Sequence, residues 1–231
     1  MAEKKLEGAG LRGQVAGKTS LSTVGKAGKG LTYRGYEIEV LAEKAFFEEV
    51  AYMLLYGNLP NKEEYSSYTD KLKKLRALPN ELKEVLENIP ASAHPMDVMR
   101  TGCSMLGNLE PEGDFKNQNS SADRILASLA SIIVYWYKFS HEGKKVNLET
   151  DYETIGGHFL SLLTDKGPSE DDIRCLDTSL ILYAEHGFNA STFTARTCAS
   201  TLSDIHSCIT GAIGTLRGPL HGGANEAAME M

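Results

Sequence analysis

Among the four cysteines of this 231-residue chain, Cys103, Cys175, Cys198 and Cys208, no pair is spaced as C-x-x-C. That excludes the common zinc and redox spacings, and four scattered cysteines are too sparse for a disulfide scaffold. All four lie in apolar or small-residue stretches, so buried, reduced thiols of a cytoplasmic protein are expected. None of the six histidines stands four residues from another, which excludes a helical two-histidine metal site. The glycine-rich, charged start at residues 1–13 has no apolar core of a secretory signal. The most apolar run, Ile125 to Tyr137, falls short of the roughly 20 residues that span a bilayer and reads as a deeply buried helix. Basic charge is scarce, 24 Lys and Arg against 31 Asp and Glu for a net charge of -7, so no basic face for nucleic acid is evident. Internal repeats are absent.

What remains is ordinary globular usage, 42% apolar and 24% charged. Eight of the 22 glycines fall in the first 35 residues, and residues 13–36 alternate β-branched and small residues around glycine turns. One or two short hairpins are expected there. After Ile38 the pattern turns helical. Leu41, Ala45, Phe46, Val50, Met53 and Leu54 form one stripe up to Gly57, a residue suited to end a helix. Asn61 with Glu64 has the form of a capping box ahead of Tyr65, Tyr68, Leu72 and Leu75. Pro79 and Pro90 bracket a short helix around Leu82, Val85 and Leu86, and another starts near Pro95. Residues 108–121 read as a polar surface loop, followed by helices at about 121–140, 153–164, 169–184, 191–202 and 204–216. The fold class is mainly α, with a small N-terminal β element.

Several patterns imitate chemistry. Gly8, Gly10 and Gly13 satisfy G-x-G-x-x-G but lack the strand before and the helix after that a dinucleotide site needs. Gly102-Cys103-Ser104 starts like a nucleophile elbow but lacks the second glycine. Asn119 and Asn189 stand in glycosylation sequons, which act only on secreted chains. The run Lys71 to Arg76, KLKKLR, reads as a solvated helix face. His141 reads as a surface residue, and His158 and His206 as packing residues of amphipathic helices.

His186 and His221 differ from these. His221 lies in GPLHGGANE, residues 218–226, where glycine and proline bar a regular helix and let backbone approach a ligand. The preceding helix ends near Leu216, and a new one is expected from Ala224, whose first N–H groups can hold an anion. His186 lies in YAEHGFNASTFTAR, residues 183–196, with Gly187 as a candidate C-cap and Asn189 or Ser191 as the next N-cap. Each histidine is either a functional group or a simple cap on this reading.

These segments resemble a known family. GPLHGGANE is similar to the active-site segment of citrate synthases, and YAEHGFNASTFTAR to their oxaloacetate-histidine segment. LTYRGYEI, residues 31–38, and HPMDVMRTG, residues 94–102, resemble further blocks of that family in the same order. LASLASIIVYWYKFSHEG and IGGHFLSLL look closest to the 2-methylcitrate synthases of bacterial propionate metabolism.

The resemblance implies a Claisen-type condensation of propionyl-CoA, or acetyl-CoA in a citrate synthase of the tricarboxylic acid cycle, with oxaloacetate. Hydrolysis of the thioester then releases CoA. His221 is implied as the catalytic residue that donates a hydrogen bond to the thioester carbonyl as its enol forms. His186 is implied as the oxaloacetate-binding residue. No metal or cofactor is implied, acyl-CoA being a substrate, and the partner is a second copy in a homodimer. The family's catalytic aspartate, its second catalytic histidine and its carboxylate-binding arginines lie beyond GPLHGGANE and match no residue here. Residues 1–231 would therefore be most of the large helical domain, with a β hairpin region at about 13–36 and helices from about 39 onward. The small domain and the C-terminal part would be absent from these 231 residues. An inactive truncated dimerisation fragment is the alternative of another class.

Overall fold

The computed structural model describes residues 17–25, 30–164 and 166–223. Ser22–Val24 (β1), Leu31–Tyr33 (β2) and Tyr36–Glu37 (β3) pair antiparallel in chain order, with Thr23 opposite Thr32 and Tyr33 opposite Tyr36. Arg34 and Gly35 alone join β2 to β3, at φ 46° and 93°. Two left-handed residues give the tight turn whose twist matches the strands it joins. The expected hairpins are present where residues 13–36 are described. Residues 13–16 and 26–29 lie outside the described residues, as does the whole G-x-G-x-x-G match.

The rest is helical: Ile38–Lys44 (α1), Phe47–Tyr56 (α2), Lys62–Lys74 (α3), Asn80–Glu87 (α4), Pro95–Leu109 (α5), Gln118–Glu142 (α6), Ile155–Leu163 (α7), Glu170–Tyr183 (α8), Ala190–Ala199 (α9) and Ile205–Leu216 (α10). The capping box is made as written: Asn61 Oδ1 accepts from the N–H groups of Glu63 and Glu64, and Glu64 accepts from Asn61 N–H. Pro95 opens α5, with His94 Nδ1 accepting from Met96 N–H at 3.1 Å.

The stripe from Leu41 to Gly57 is two helices, not one. The backbone is extended at Ala45 and Phe46, and Phe46 points outward. Groups on α8 take over the hydrogen bonds this break removes. Arg174 donates to the carbonyls of Ala42, Glu43 and Ala45, and Asp177 accepts from Phe47 N–H at 2.9 Å. Side chains more than a hundred positions away make the break, so local spacing does not reveal it.

The KLKKLR run is not a solvated face throughout. Arg76 is 2% exposed and donates to the carbonyls of Tyr152 and Glu153 at 2.5 and 2.6 Å. Lys71 Nζ lies 2.5 Å from the buried Asp123, which also accepts from Tyr56 and Tyr68. The loop expected at 108–121 shrinks to residues 110–114, because a 3-10 turn at Phe115–Asn117 leads directly into α6. Glu110 in it grips the Arg124 guanidinium with both oxygens, at 2.7 and 2.8 Å.

Among the described residues three apolar clusters make the core, and α6 enters all of them. Ala127 joins Tyr33, Val50, Met53, Leu72 and Ile181. Ile132, Val134, Tyr135 and Trp136 join Leu82, Leu86, Val98 and Leu106. Ile125 joins Cys103 and Ile213. Ile125 to Tyr137 is the centre of α6, buried along one face and exposed at Tyr137, and no described helix is long and apolar enough to cross a membrane. Gly102 is no elbow: it sits inside α5, where an added Cβ would stand 2.5 Å from Ile132 Cγ2. The cysteines are free, but only Cys103 and Cys208 are buried, Cys198 being half-buried and Cys175 exposed. The last two lie on helix faces that the core does not cover, so the expectation of four buried thiols fails for them.

Glu48 on α2 is fully buried. One oxygen accepts from Ile155 N–H at 2.6 Å, and the other has no hydrogen-bond partner among the described residues. Burial pushes its carboxyl up to about 7, the charge of Asp177 adding to the rise and Arg76 opposing it. A carboxyl raised in the folded state stabilises fully below its unfolded value and loses that contribution as pH climbs through the folded one. We expect about 3 kcal/mol of stability to be lost between about pH 4.5 and about pH 7.5 through this group. Glu48→Gln keeps an acceptor for Ile155 and cannot ionise. Urea unfolding of the variant over that range should give a distinctly flatter pH profile; an unchanged profile would show that another group carries the dependence.

Candidate active site

The loop between α8 and α9 carries His186, and the sheet holds that loop in place. Tyr33 Oη, at the end of β2, donates to the Ile181 carbonyl at 3.0 Å and accepts from Glu185 N–H at 3.2 Å. Ser22 on β1 donates to Glu185 Oε1 at 3.1 Å, and the same oxygen accepts from Gly187 N–H. α8 ends at an Ala184 C-cap, so Gly187, at φ 96°, turns the loop rather than capping the helix. Asn189 is the N-cap of α9, its Oδ1 accepting from Thr192 N–H at 2.8 Å.

After α10 the chain doubles back. Gly222 N–H donates to the Leu216 carbonyl at 3.0 Å and His221 N–H to the Gly218 carbonyl at 3.0 Å. A Cβ on Gly222 would stand 2.2 Å from Leu216 O, so only glycine allows this fold-back. The segment thereby aims His221 at the N-terminus of α9. The helix expected from Ala224 lies outside the described residues.

There the two histidines meet through two small polar side chains. His221 Nε2 is 3.0 Å from Ser191 Oγ, Ser191 Oγ donates to Asn189 Oδ1 at 2.7 Å, and Asn189 Nδ2 is 3.2 Å from His186 Nε2. An amide nitrogen only donates, so His186 Nε2 accepts and its hydrogen sits on Nδ1. A serine hydroxyl rotates. When it donates to Asn189 it accepts from His221; turned toward His221 Nε2, it leaves the imidazole hydrogen on Nδ1. Nδ1 of His221 has no hydrogen bond among the described residues, so it is the atom that can face a ligand. His186 is exposed and His221 half-buried, so both are open to solvent.

The remaining histidines stay apart from this pair. His158 is buried between Ser131 Oγ at 2.9 Å and Thr150 Oγ1 at 3.0 Å, and burial pushes it down to about 3. His206 is 2% exposed, as packing predicts, yet neither ring nitrogen is hydrogen-bonded among the described residues. His141 is exposed and stacks on Tyr137. No group of three metal-binding side chains occurs among the described residues.

Asn189 and Ser191 were legible in the sequence only as caps. That they also link the histidines depends on the return of the chain after α10, for which Gly222 was the available signal.

A helical domain with two histidines joined at one helix N-terminus has clear relatives. The family model described as the citrate synthase C-terminal domain matches residues 10–231, and the chain belongs to the citrate synthase family. It is 68% identical over 228 residues to a 2-methylcitrate synthase of Shewanella oneidensis, covering 99% of this chain and 61% of that protein. It is 42% identical over 230 residues to citrate synthase 2 of Bacillus subtilis, covering 96% and 60%. Among solved structures, the citrate synthase of Thermoplasma acidophilum in ternary complex with carboxymethyl coenzyme A and oxaloacetate superposes with a TM-score of 0.84 at 28% identity, over 93% of this chain and 57% of that one. The chain thus spans about three fifths of the length of these relatives.

Proposed function

We propose that the chain supplies the two-histidine part of a 2-methylcitrate synthase. The enzyme condenses propionyl-CoA with oxaloacetate and hydrolyses the product thioester to 2-methylcitrate and CoA. Residues 1–231 are read as most of its large helical domain, and sequence outside them brings the base, the second histidine and the arginines. The observation that carries the reading is the 68% identity with the Shewanella protein, against 42% with the Bacillus one. The link between the two histidines fits it.

In this reading His186 binds oxaloacetate and draws electron density from its keto group. The base takes the α-proton of the acyl-CoA, and the electron pair moves onto the thioester oxygen. With the Ser191 hydroxyl turned from Asn189 to donate to His221 Nε2, His221 meets the charge there with a hydrogen from Nδ1. The enol carbon bonds to the keto carbon, whose oxygen takes up a proton, and water then cleaves the thioester. These steps use neither a metal nor a further cofactor. The assembly is read as a cytoplasmic homodimer.

The test is CoA release by the full-length protein with each acyl-CoA. One methylene in a fitted pocket is worth about 1–3 kcal/mol, so propionyl-CoA should be favoured roughly 10- to 200-fold in kcat/KM. A preference for acetyl-CoA makes the protein a citrate synthase. Silence with both would leave only a structural or dimerisation role.

A further inference from the structure

α9 and α10 form an antiparallel pair joined by residues 200–204. They approach closely because small side chains face each other. Thr215 Oγ1 donates to Thr194 Oγ1 at 2.9 Å, and a Cβ on Gly211 would lie 3.5 Å from Thr194 Cγ2. One turn further along α9 stands Cys198, and one turn back along α10 stands Cys208. Residues three and four apart share a helix face, so this register sets the two thiols opposite each other. Cys208 Sγ contacts the Ser203 carbonyl at 3.7 Å, and the Cys198 thiol is close enough to help raise its pKa. Cys198 is half-buried and so within reach of a dissolved oxidant; Cys208 is buried behind it.

We propose that Cys198 and Cys208 are a redox-sensitive thiol pair that a hydroperoxide converts to a disulfide across the α9–α10 hairpin. The Cys198 thiolate attacks one peroxide oxygen, an S–O bond forms as the O–O bond breaks, and the departing oxygen leaves as water or an alcohol. The product is a sulfenic acid. The Cys208 sulfur then attacks the Cys198 sulfur, giving up its proton to the departing hydroxide, which leaves as water. The thiols are oxidised by two electrons and the peroxide is reduced by two. A dithiol reductant reverses the change. The burial that pushes the Cys208 thiol up to about 11 slows the second step and keeps the pair reduced without oxidant. The bond would form near the C-terminus of α9, about 13 Å along the helix from Asn189. It therefore clamps the hairpin without occupying the histidine site.

Peptide mapping tests this on the full-length protein, reduced, exposed to hydrogen peroxide, then unfolded in iodoacetamide. Trypsin cuts after Arg196 and Arg217, which leaves both cysteines in one peptide. That peptide should carry no alkyl group and be lighter than its reduced form by two hydrogens. A further cut after Leu202 should yield two pieces that separate only on reduction. In Cys208→Ser, Cys198 should stop at a sulfenic acid that dimedone captures. Two results would overturn the proposal: Cys198 and Cys208 both alkylated at a dose that oxidises the exposed Cys175, or wild-type Cys198 advancing to the sulfinic acid unpaired. The wild-type map decides the matter even if the variant does not fold.

Discussion

Replacing His221 by alanine in the full-length protein is expected to lower kcat about 100- to 1,000-fold while leaving oxaloacetate affinity within about twofold. Charge develops on the thioester oxygen only as the α-proton departs, so a donor aimed there acts on the transition state and not on the oxaloacetate complex. One such preplaced donor is worth about 3–4 kcal/mol. Ser191 and the fold-back at Gly222 hold this imidazole in one orientation, which spares the reaction the cost of arranging it. His186→Ala should divide the parameters the other way, with weaker oxaloacetate binding as its main effect. Calorimetric titration of oxaloacetate beside steady-state rates separates the two. Normal turnover by His221→Ala would remove the role assigned to it.

Trp136→Ala is expected to cost about 3–5 kcal/mol of stability, the largest single loss we foresee in the core. The ring is 2% exposed and lies in the second apolar cluster. Its indole N–H donates to the Ile89 carbonyl at 3.2 Å, so truncation opens a cavity and also strips an acceptor of its donor. For a domain of this length each kcal/mol moves Tm by about 2–4 °C, which puts the shift near 10 °C. Differential scanning calorimetry at fixed protein concentration measures it. A loss below about 1 kcal/mol would mean that the cluster closes over the gap, which close-packed interiors rarely do.

Features that depend on neighbours in the chain were legible from the sequence. Asn61 with Glu64, Pro95 and Gly57 act within one helical turn, and each marks the boundary it was read to mark. His186 and His221 stood out as candidates because glycine lies beside each. What escaped was long-range. The break at Ala45–Phe46 needs Arg174 and Asp177, and the inward turn of Arg76 needs the carbonyls of residues 152 and 153. A charged side chain bonded to a distant backbone looks, in sequence, like any solvated one. The polar tract after α5 was read too long for a similar reason, since its last residues gain helical form by stacking into α6.

Asn189 does three things at once: it caps α9, accepts from Ser191 and offers its amide nitrogen to His186. Asn189-Ala190-Ser191 is also a sequence that oligosaccharyltransferase acts on, and the enzyme would place the sugar on that same nitrogen. The choice of expression host is thereby constrained. Material routed through a eukaryotic secretory system risks a glycan at the junction of the two histidines, whereas bacterial cytoplasmic production leaves the amide free.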